Sequence, residues 1–116
     1  MKNGSHVYDL LEYRDLYDIP RAFIISTEAQ RLLYFDCPFD SCSDEYSSFF
    51  EIFELKVSDP SLIPHDWREM GEIVSRRLGR VQANQITFDA SCRKSIALDF
   101  GEMVRGGAGQ PIGVNP

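Results

Sequence analysis

The stretch SFFEIFELKV, residues 48–57, carries the strongest strand pattern in the chain. Successive side chains of a strand point to opposite faces, so Phe50 and Ile52 share one face while Phe49 and Phe53 share the other. Each face also carries a glutamate, and the pattern leaves open which face is buried. We therefore expect a fold organised around a β-sheet that contains this strand.

The clearest helix pattern follows this strand, over residues 66–78. Asp66 is suited to be the N-cap, with Glu69 three residues later as in a capping box. Five apolar side chains then recur at the spacing of one helical face: Trp67, Met70, Ile73, Val74 and Leu78. Gly79 is suited to end the helix, although Gly71 inside it costs about 1 kcal/mol relative to alanine. The sequence therefore predicts one amphipathic helix, at about 66–78, that packs on the sheet.

Four further segments have strand patterns, and they form two pairs. Residues 21–26 and 31–35 are joined by a polar turn, which predicts a hairpin. Residues 85–90 and 95–100 alternate between apolar and polar side chains and predict a second hairpin. Residues 7–17 carry apolar side chains at helix-like spacing, so we expect either a short helix or an irregular packing arm there.

Together these elements predict an α+β domain. About five strands would form a mostly antiparallel sheet, with one helix on a face and the short N-terminal helix as an option. Residues 38–47 are rich in Pro, Asp and Ser and are expected to form a loop. We predict a single domain over residues 1–100, followed by a Gly/Pro-rich tail over 101–116 that holds five of the eight glycines.

The negative charge of the chain is concentrated in one window, residues 32–55. The chain has 18 acidic and 12 basic residues, a net charge of −6. The window holds six acids and no basic residue, so its charge equals that of the whole chain. It also holds seven of the aromatic side chains, unlike a solvating acidic tail. We therefore expect its acids to project from a folded surface. The residues predicted to bind a partner are Asp36, Phe39, Asp40, Asp44, Glu45 and Tyr46.

Composition excludes several classes of protein. A chain of 116 residues, 43% hydrophobic and 26% charged, is ordinary for one globular domain. No apolar stretch approaches the ~18 residues of a membrane span. The acidic balance argues against direct nucleic-acid binding, which needs a basic surface. Three cysteines, an odd number, and a start without an apolar secretion signal predict a cytoplasmic protein.

Patterns for catalysis or metal binding are weak. Cys37 and Cys42 form one C-x4-C pair, with Cys92 and His65 far away, whereas zinc takes four ligands held tetrahedrally. We therefore interpret the cysteines as small, part-buried hydrophobic residues. The acids within residues 36–45 lack the spacing and the glycine of a calcium-binding loop. We assign no catalytic residue, no cofactor and no metal.

The remaining charged residues have structural interpretations. Glu51 and Glu54 are expected to pair with arginines or to lie exposed on an edge strand. The basic residues of the C-terminal half would flank the end of the predicted helix, where the helix dipole favours cations. Alternatively, these basic residues would form ion pairs with the acids of the acidic window, residues 32–55. These basic residues are Arg76, Arg77, Arg80, Arg93 and Lys94.

Dense carboxylates beside aromatic side chains suit a protein that neutralises or regulates a basic partner protein. The segments that bear on this are RAFIIS at 21–26, LLYFDCPFD at 32–40, DEYSSFFEIFEL at 44–55 and QITFDASCRKSI at 85–96. With them, and in size, acidity and lack of a catalytic motif, the chain resembles bacterial immunity proteins of polymorphic toxin systems. The resemblance implies a toxin or nuclease domain as the partner, and it transfers no individual binding residue.

Two other functions remain open from the sequence. The first is a small-molecule binding domain or enzyme with a pocket lined by Phe, Tyr and Trp67, for which the polar candidates are Glu51 or Glu54, Tyr34 and Arg31. The second is a homo-oligomeric structural subunit that uses the Phe-rich strand as an edge. The oligomeric state is left open.

Overall fold

Seven strands form one antiparallel sheet, and two short strands form a separate hairpin. The computed structural model describes residues 5–27 and 29–99. The strands are β1 (Ser5–Tyr17), β2 (Ile19–Ser26), β3 (Leu32–Asp36), β4 (Phe39–Asp40), β5 (Glu45–Tyr46), β6 (Phe49–Leu55), β7 (Val74–Gln82), β8 (Ile86–Thr87) and β9 (Ser95–Asp99). Three short 3₁₀ segments lie at Pro60–Leu62, Trp67–Glu72 and Ala83–Gln85. Within these described ranges, no helix is long and apolar enough to cross a membrane.

The connections require the large sheet to roll up. Its strand order is β7-β6-β3-β2-β1-β9-β8, so β7 and β8 lie at opposite edges. In a flat sheet these edges would be about 29 Å apart at the usual strand spacing. Only Ala83–Gln85 lies between the two strands, and so short a connection spans about 14 Å at most. The sheet therefore curls into an open barrel with an enclosed inner face.

Side chains from all seven strands fill the interior of the rolled sheet. Phe23 and Phe35 stack there with their ring centroids 4.6 Å apart. Phe50 and Ile52 also point inward and are fully buried, so they form the inner face of β6. The buried interior residues are Tyr8, Leu10, Phe23, Ile25, Leu33, Phe35, Cys37, Phe50, Ile52, Val81, Ile86, Ile96 and Leu98.

A strap, residues 60–73, covers part of the outer face of the sheet. Met70 is the buried side chain of the strap, and it packs in a second core cluster with Ile24, Leu32 and Leu55. Trp67 and its neighbours pack around this cluster. The fold therefore has two apolar layers, one inside the roll and one beneath the strap.

The predicted α+β fold is wrong, chiefly because residues 66–78 do not form a helix. Trp67–Glu72 is a 3₁₀ segment, and Val74–Gln82 is a strand paired with β6. The five apolar side chains of the predicted helix do reach the two cores, but two elements bring them there. An isolated helix of this length is marginal, and Gly71 and two β-branched residues weaken it further. Pairing with β6 instead provides hydrogen-bond partners for the backbone N–H and C=O groups of residues 74–82.

The local signals of the predicted helix have different outcomes. Asp66 does act as an N-cap, because its side chain accepts a hydrogen bond from the Arg68 backbone N–H at 3.0 Å. Gly79 does not end a helix. It lies within β7 opposite Ile52, with a φ of 148°, where the pairing of β7 with β6 is irregular. That backbone conformation favours glycine.

The predicted N-terminal helix is also wrong, since residues 7–17 lie within β1, which pairs with both β2 and β9. A bulge between Leu10 and Glu12 inserts an extra residue. Beyond it the interior side chain is Tyr13, three residues after Leu10, whereas Leu11 packs on the outer face against the cluster beneath the strap. The apolar residues with helix-like spacing therefore lie on different faces of β1, and Val7 among them is 70% exposed.

Most of the other predicted strands are present in the structure. The strands expected at 21–26, 31–35 and 48–57 are confirmed as β2, β3 and β6, and β9 lies within the predicted 95–100. The strand expected at 85–90 is shorter, Ile86–Thr87, and the predicted loop at 38–47 contains β4 and β5. The single domain over 1–100 stays a prediction, and the tail at 101–116 lies outside the described residues.

Candidate functional site

The acidic window contributes a small hairpin, residues 38–47, which we call the arm. Phe39 pairs with Tyr46 and Asp40 with Glu45 across its two strands. The Asp40 carboxylate accepts a hydrogen bond from the Cys42 backbone N–H at 2.9 Å and so stabilises the turn. Asp44 ends that turn with a φ of 58°, a left-handed conformation that Asp tolerates better than most residues.

The base of the arm is tied to β2 and β3. The Cys37 thiol donates a hydrogen bond to the Ser47 carbonyl oxygen at 3.1 Å, and the Ser47 N–H donates to the Pro38 carbonyl oxygen at 2.8 Å. The Cys37 N–H in turn donates to the Arg21 carbonyl oxygen at 2.7 Å. The Arg21 guanidinium lies over the Tyr46 ring, 4.9 Å from its centroid. These contacts fix where the arm leaves the barrel.

A cleft of about 560 Å³ separates the arm from the rim of the barrel. Its aromatic side is formed by Phe39 and Tyr46, whose rings meet at 77° with centroids 5.1 Å apart. Phe39 is 51% exposed, and it is one of four large hydrophobic side chains that lie exposed in the described part of the chain. The residues that line the cleft are Arg21, Phe39, Asp44, Glu45, Tyr46, Ser47, Ser48 and Ala83.

The charges of the cleft are two carboxylates and one guanidinium. Asp44 and Glu45 are exposed, and neither forms an ion pair within the described part of the chain. Arg21 opposes them with a single positive charge. The lining of the cleft therefore keeps an excess of one negative charge, and Asp40 adds another on the same arm.

The glutamates of β6, by contrast, are neutralised by arginines, as one of the two sequence interpretations predicted. Glu54 accepts hydrogen bonds from Arg31 at 2.7 Å and Arg76 at 3.0 Å. Burial pushes the pKa of Glu54 up, but these two arginines outweigh it and hold the pKa below its ordinary value. Glu51 accepts a hydrogen bond from Arg77 at 2.7 Å. Unpaired acidic charge in the window is therefore concentrated on the arm and at Asp36.

Asp36 lies apart from the cleft, although it was predicted as a partner-binding residue. It follows the inward-facing Phe35 in β3, so it belongs to the outer face, opposite Glu51. Burial raises the pKa of the Asp36 carboxyl, and the charges of Asp15 and Glu51 raise it further. Within the described residues no cation pairs with it.

The structure thus brings together four of the six predicted binding residues and places two elsewhere. The four that line the cleft are Phe39, Asp44, Glu45 and Tyr46. Asp40 sits beside them on the arm, and Asp36 is on the outer face. Four residues of the cleft lining were not predicted from the sequence: Arg21, Ser47, Ser48 and Ala83. No local signal marks them, because Arg21 and Ala83 join the cleft only through the fold.

The basic residues of the C-terminal half do not flank a helix. Arg76 and Arg77 pair with the acidic window, which is the alternative interpretation. The Arg80 guanidinium lies 4.3 Å from the centroid of the Phe49 ring, and Arg93 donates to the Ala90 carbonyl oxygen at 2.9 Å within a turn. In the described part of the chain these arginines thus have structural contacts.

The three cysteines are free, with Cys37 buried and Cys42 and Cys92 exposed, so the description as part-buried hydrophobic residues suits only Cys37. Burial raises the pKa of the Cys37 thiol against the opposing effect of Arg21. Over residues 5–27 and 29–99, no group of three or more His, Cys, Asp or Glu side chains could hold a metal ion.

The residues considered for the two alternative functions lie away from the cleft. Tyr34 packs on the outer face with its ring 5.7 Å from that of Trp67, and burial followed by the charges of Asp36 and Asp15 raises its pKa. Arg31 and Glu54 pair with each other. The Phe-rich strand β6 lies between β3 and β7, so it is not an edge that could recruit another subunit.

Comparisons with known proteins identify no relative. No protein-family model matches the chain, and neither a curated protein nor a solved structure matches it.

Proposed function

We propose that this chain is a binding protein that neutralises or regulates a basic partner protein through the arm and its cleft. One observation carries the proposal: the exposed Phe39 and the acidic residues Asp44 and Glu45, which form no ion pair in the described structure, line the same cleft. An aromatic anchor next to negative charge is the arrangement that recognises a cationic surface.

The charge distribution supports the arm as the contact surface. The carboxylates of Glu51 and Glu54 are matched by arginines, whereas those of the arm extend into solvent. Complementary charge accelerates diffusional encounter, and a buried aromatic side chain supplies binding energy once the partner has docked. The negative charge and the exposed aromatic side chain occur together on the ten residues of the arm.

The class of partner is proposed from the resemblance to immunity proteins of polymorphic toxin systems. A toxin or nuclease domain that binds nucleic acid is basic, and carboxylates on the arm would take the place of the phosphates. We also propose a cytoplasmic location, which the three free cysteines support.

The test uses the full chain and two triple variants as bait in host extract. The first, D40N/D44N/E45Q, removes the charge of the arm, while the amide that replaces the Asp40 carboxylate keeps an oxygen for the Cys42 N–H. The second, D9N/E69Q/E72Q, removes equal charge from exposed positions outside the arm. We expect one basic protein to bind the wild type and the second variant at low salt, and to be lost with the first.

The captured protein is then purified and its association rate is measured against ionic strength. We expect the rate to fall steeply with salt for the wild type and to be slow and nearly salt-independent for D40N/D44N/E45Q. Equal binding of the partner to all three chains would show that the arm is only a solvated hairpin.

The volume of the cleft favours a second candidate, small-molecule binding. At about 560 Å³ it lies within the roughly 300–1,000 Å³ typical of ligand sites. Phe39 and Tyr46 supply aromatic surface there, but Trp67, named for such a pocket from the sequence, does not line it. A metabolite screen by ligand-detected NMR, with D44N/E45Q as control, tests this candidate.

A further inference from the structure

The cleft beside the arm has the features of a site for one planar cation. Its exposed Phe39 ring offers apolar surface, and its two unpaired carboxylates, Asp44 and Glu45, are neighbours in sequence. A cation that entered would meet both a ring and negative charge, as cation–π and charge-assisted contacts require.

The cleft already contains one example of the interaction. The Arg21 guanidinium lies 4.9 Å from the centroid of the Tyr46 ring. Asp44 and Glu45 together carry two negative charges against this one positive charge, so the lining can take a second cation without a net positive charge. Phe39 supplies the second ring, because its side chain is still half exposed after it has packed against Tyr46.

Among protein side chains, arginine fits these features better than lysine. A guanidinium is planar, stacks on aromatic rings and presents a fork of N–H donors to a carboxylate, while an ammonium is compact and strongly hydrated. We propose that the cleft takes an arginine side chain of the basic partner, held by Asp44 and Glu45 and stacked on Phe39. This inference rests on the proposed function and specifies the anchor of the partner.

The test measures binding of blocked tripeptides to the ¹⁵N-labelled full chain by NMR. The probes are acetyl-Gly-X-Gly-amide with X as arginine, lysine or citrulline, the last being a neutral analogue of arginine. We expect the arginine peptide to shift the amide signals of Phe39 and residues 44–48 with millimolar affinity. The affinity of the lysine peptide should be at least about threefold lower than that of the arginine peptide, and the citrulline peptide should cause no shift.

Two variants locate the site. D44N/E45Q should abolish the shifts caused by the arginine peptide, whereas E69Q/E72Q, which removes two exposed carboxylates of the strap region, should leave them unchanged. A third variant, Phe39→Leu, keeps an apolar side chain and removes the ring. This variant should bind the arginine peptide more weakly than the wild type does, with an affinity equal to its affinity for the lysine peptide.

Three results would overturn the inference. They are equal affinity for the arginine and lysine peptides, shifts centred on Asp36 and Glu51 instead of the arm, and no shift with the arginine peptide up to about 50 mM. The proposed function is judged separately, by the captured basic protein. If that protein binds and depends on the arm while the peptides show no preference for arginine, only the anchor is wrong.

Discussion

The Cys37 thiol donates a hydrogen bond to the Ser47 carbonyl oxygen at 3.1 Å, across the base of the arm. Cys37 precedes the arm and Ser47 is its last residue, so one buried side chain joins the two ends of a ten-residue hairpin. The Arg21 guanidinium contacts the same sulfur at 3.7 Å. The arm is thus held by contacts at its base, and its two-residue strands add little of their own.

We therefore predict that Cys37→Ala loosens the arm. The variant loses a buried sulfur and the donor to Ser47, and we expect it to lower the free energy of unfolding by about 1–2 kcal/mol. Hydrogen exchange at the amides of residues 39–47 should accelerate more than exchange in β2. Urea unfolding and exchange NMR measure the two effects.

Cys42→Ala is the matched control, because Cys42 is exposed on the same arm. Its effect on unfolding should stay within about 0.5 kcal/mol. Cys37→Ser keeps a hydrogen-bond donor at the base of the arm. We expect its arm amides to be protected from hydrogen exchange less than those of wild type and more than those of Cys37→Ala. Equal protection in all three variants would contradict a role for the thiol.

The second prediction concerns Glu54 and its two arginines, Arg31 and Arg76. Because the folded protein lowers the pKa of Glu54 below its ordinary 4.5, the unfolded chain binds a proton more readily. The stabilisation is therefore complete above about pH 4.5 and is lost as the pH falls through the lower folded pKa. Both arginines are more than one third exposed, so solvent screening limits the effect to about 1 kcal/mol.

Urea unfolding of wild type and Glu54→Gln at pH 7 and at pH 3 measures this effect. We expect the variant to be less stable at pH 7 and nearly equal to wild type at pH 3. Glu69→Gln, at an exposed site without an ion pair in the described structure, should match wild type at both values. A deficit of Glu54→Gln that persisted at pH 3 would point to packing instead of charge.

The third prediction concerns Asp36, whose pKa shifts in the opposite direction to that of Glu54. Burial and the charges of Asp15 and Glu51 raise its pKa above the ordinary 3.8, so the folded protein favours the protonated form. Ionised Asp36 then destabilises the fold at pH values above its folded pKa, and this effect disappears below about pH 3.8. Asp36→Asn should raise the free energy of unfolding at pH 7 by about 0.5–1 kcal/mol.

Denaturant unfolding across pH 3 to pH 7 tests the Asp36 prediction. The gain from Asp36→Asn should shrink as the pH falls. Asp9→Asn removes the same charge from an exposed position whose strand neighbours are Ser26 and Ser95, and it should not stabilise the fold. A loss of stability in Asp36→Asn at pH 7 would show that the carboxylate has a favourable partner.

Sequence patterns predicted individual strands where the alternation is strict, but they did not predict the fold class. Phe50 and Ile52 share the interior because β6 alternates strictly between its two faces there. In β1, Leu10 and Leu11 are both apolar because each packs on a different face of the sheet, and together they imitate helical spacing. In the strap, Trp67, Met70 and their neighbours are apolar because they cover a sheet, and a periodicity analysis cannot distinguish such a segment from an amphipathic helix.

The site was predictable in its acidic and aromatic residues but not in its shape. Phe39, Asp44 and Tyr46 were identified because charge and aromatic content are properties of composition in one window. Arg21 and Ala83 face the same cleft from far along the chain, and only the rolled sheet brings them there. Asp36 was included because it is near in sequence, yet the alternation of β3 turns it to another face.

The last prediction compares two glycines that the sequence analysis assigned to one helix and its end. A Cβ added at Gly71 meets open space, and its backbone φ is not positive. Gly79 has a φ of 148° at the irregular pairing of β7 with β6. An alanine at position 71 restricts only the unfolded chain, so we expect Gly71→Ala to raise the free energy of unfolding by about 0.4–1 kcal/mol. Gly79→Ala forces an unfavourable φ and should lower it by more than 1 kcal/mol, of order 1–3 kcal/mol. Urea unfolding of both variants should give opposite signs, and a loss of stability in Gly71→Ala would contradict the open space around that residue.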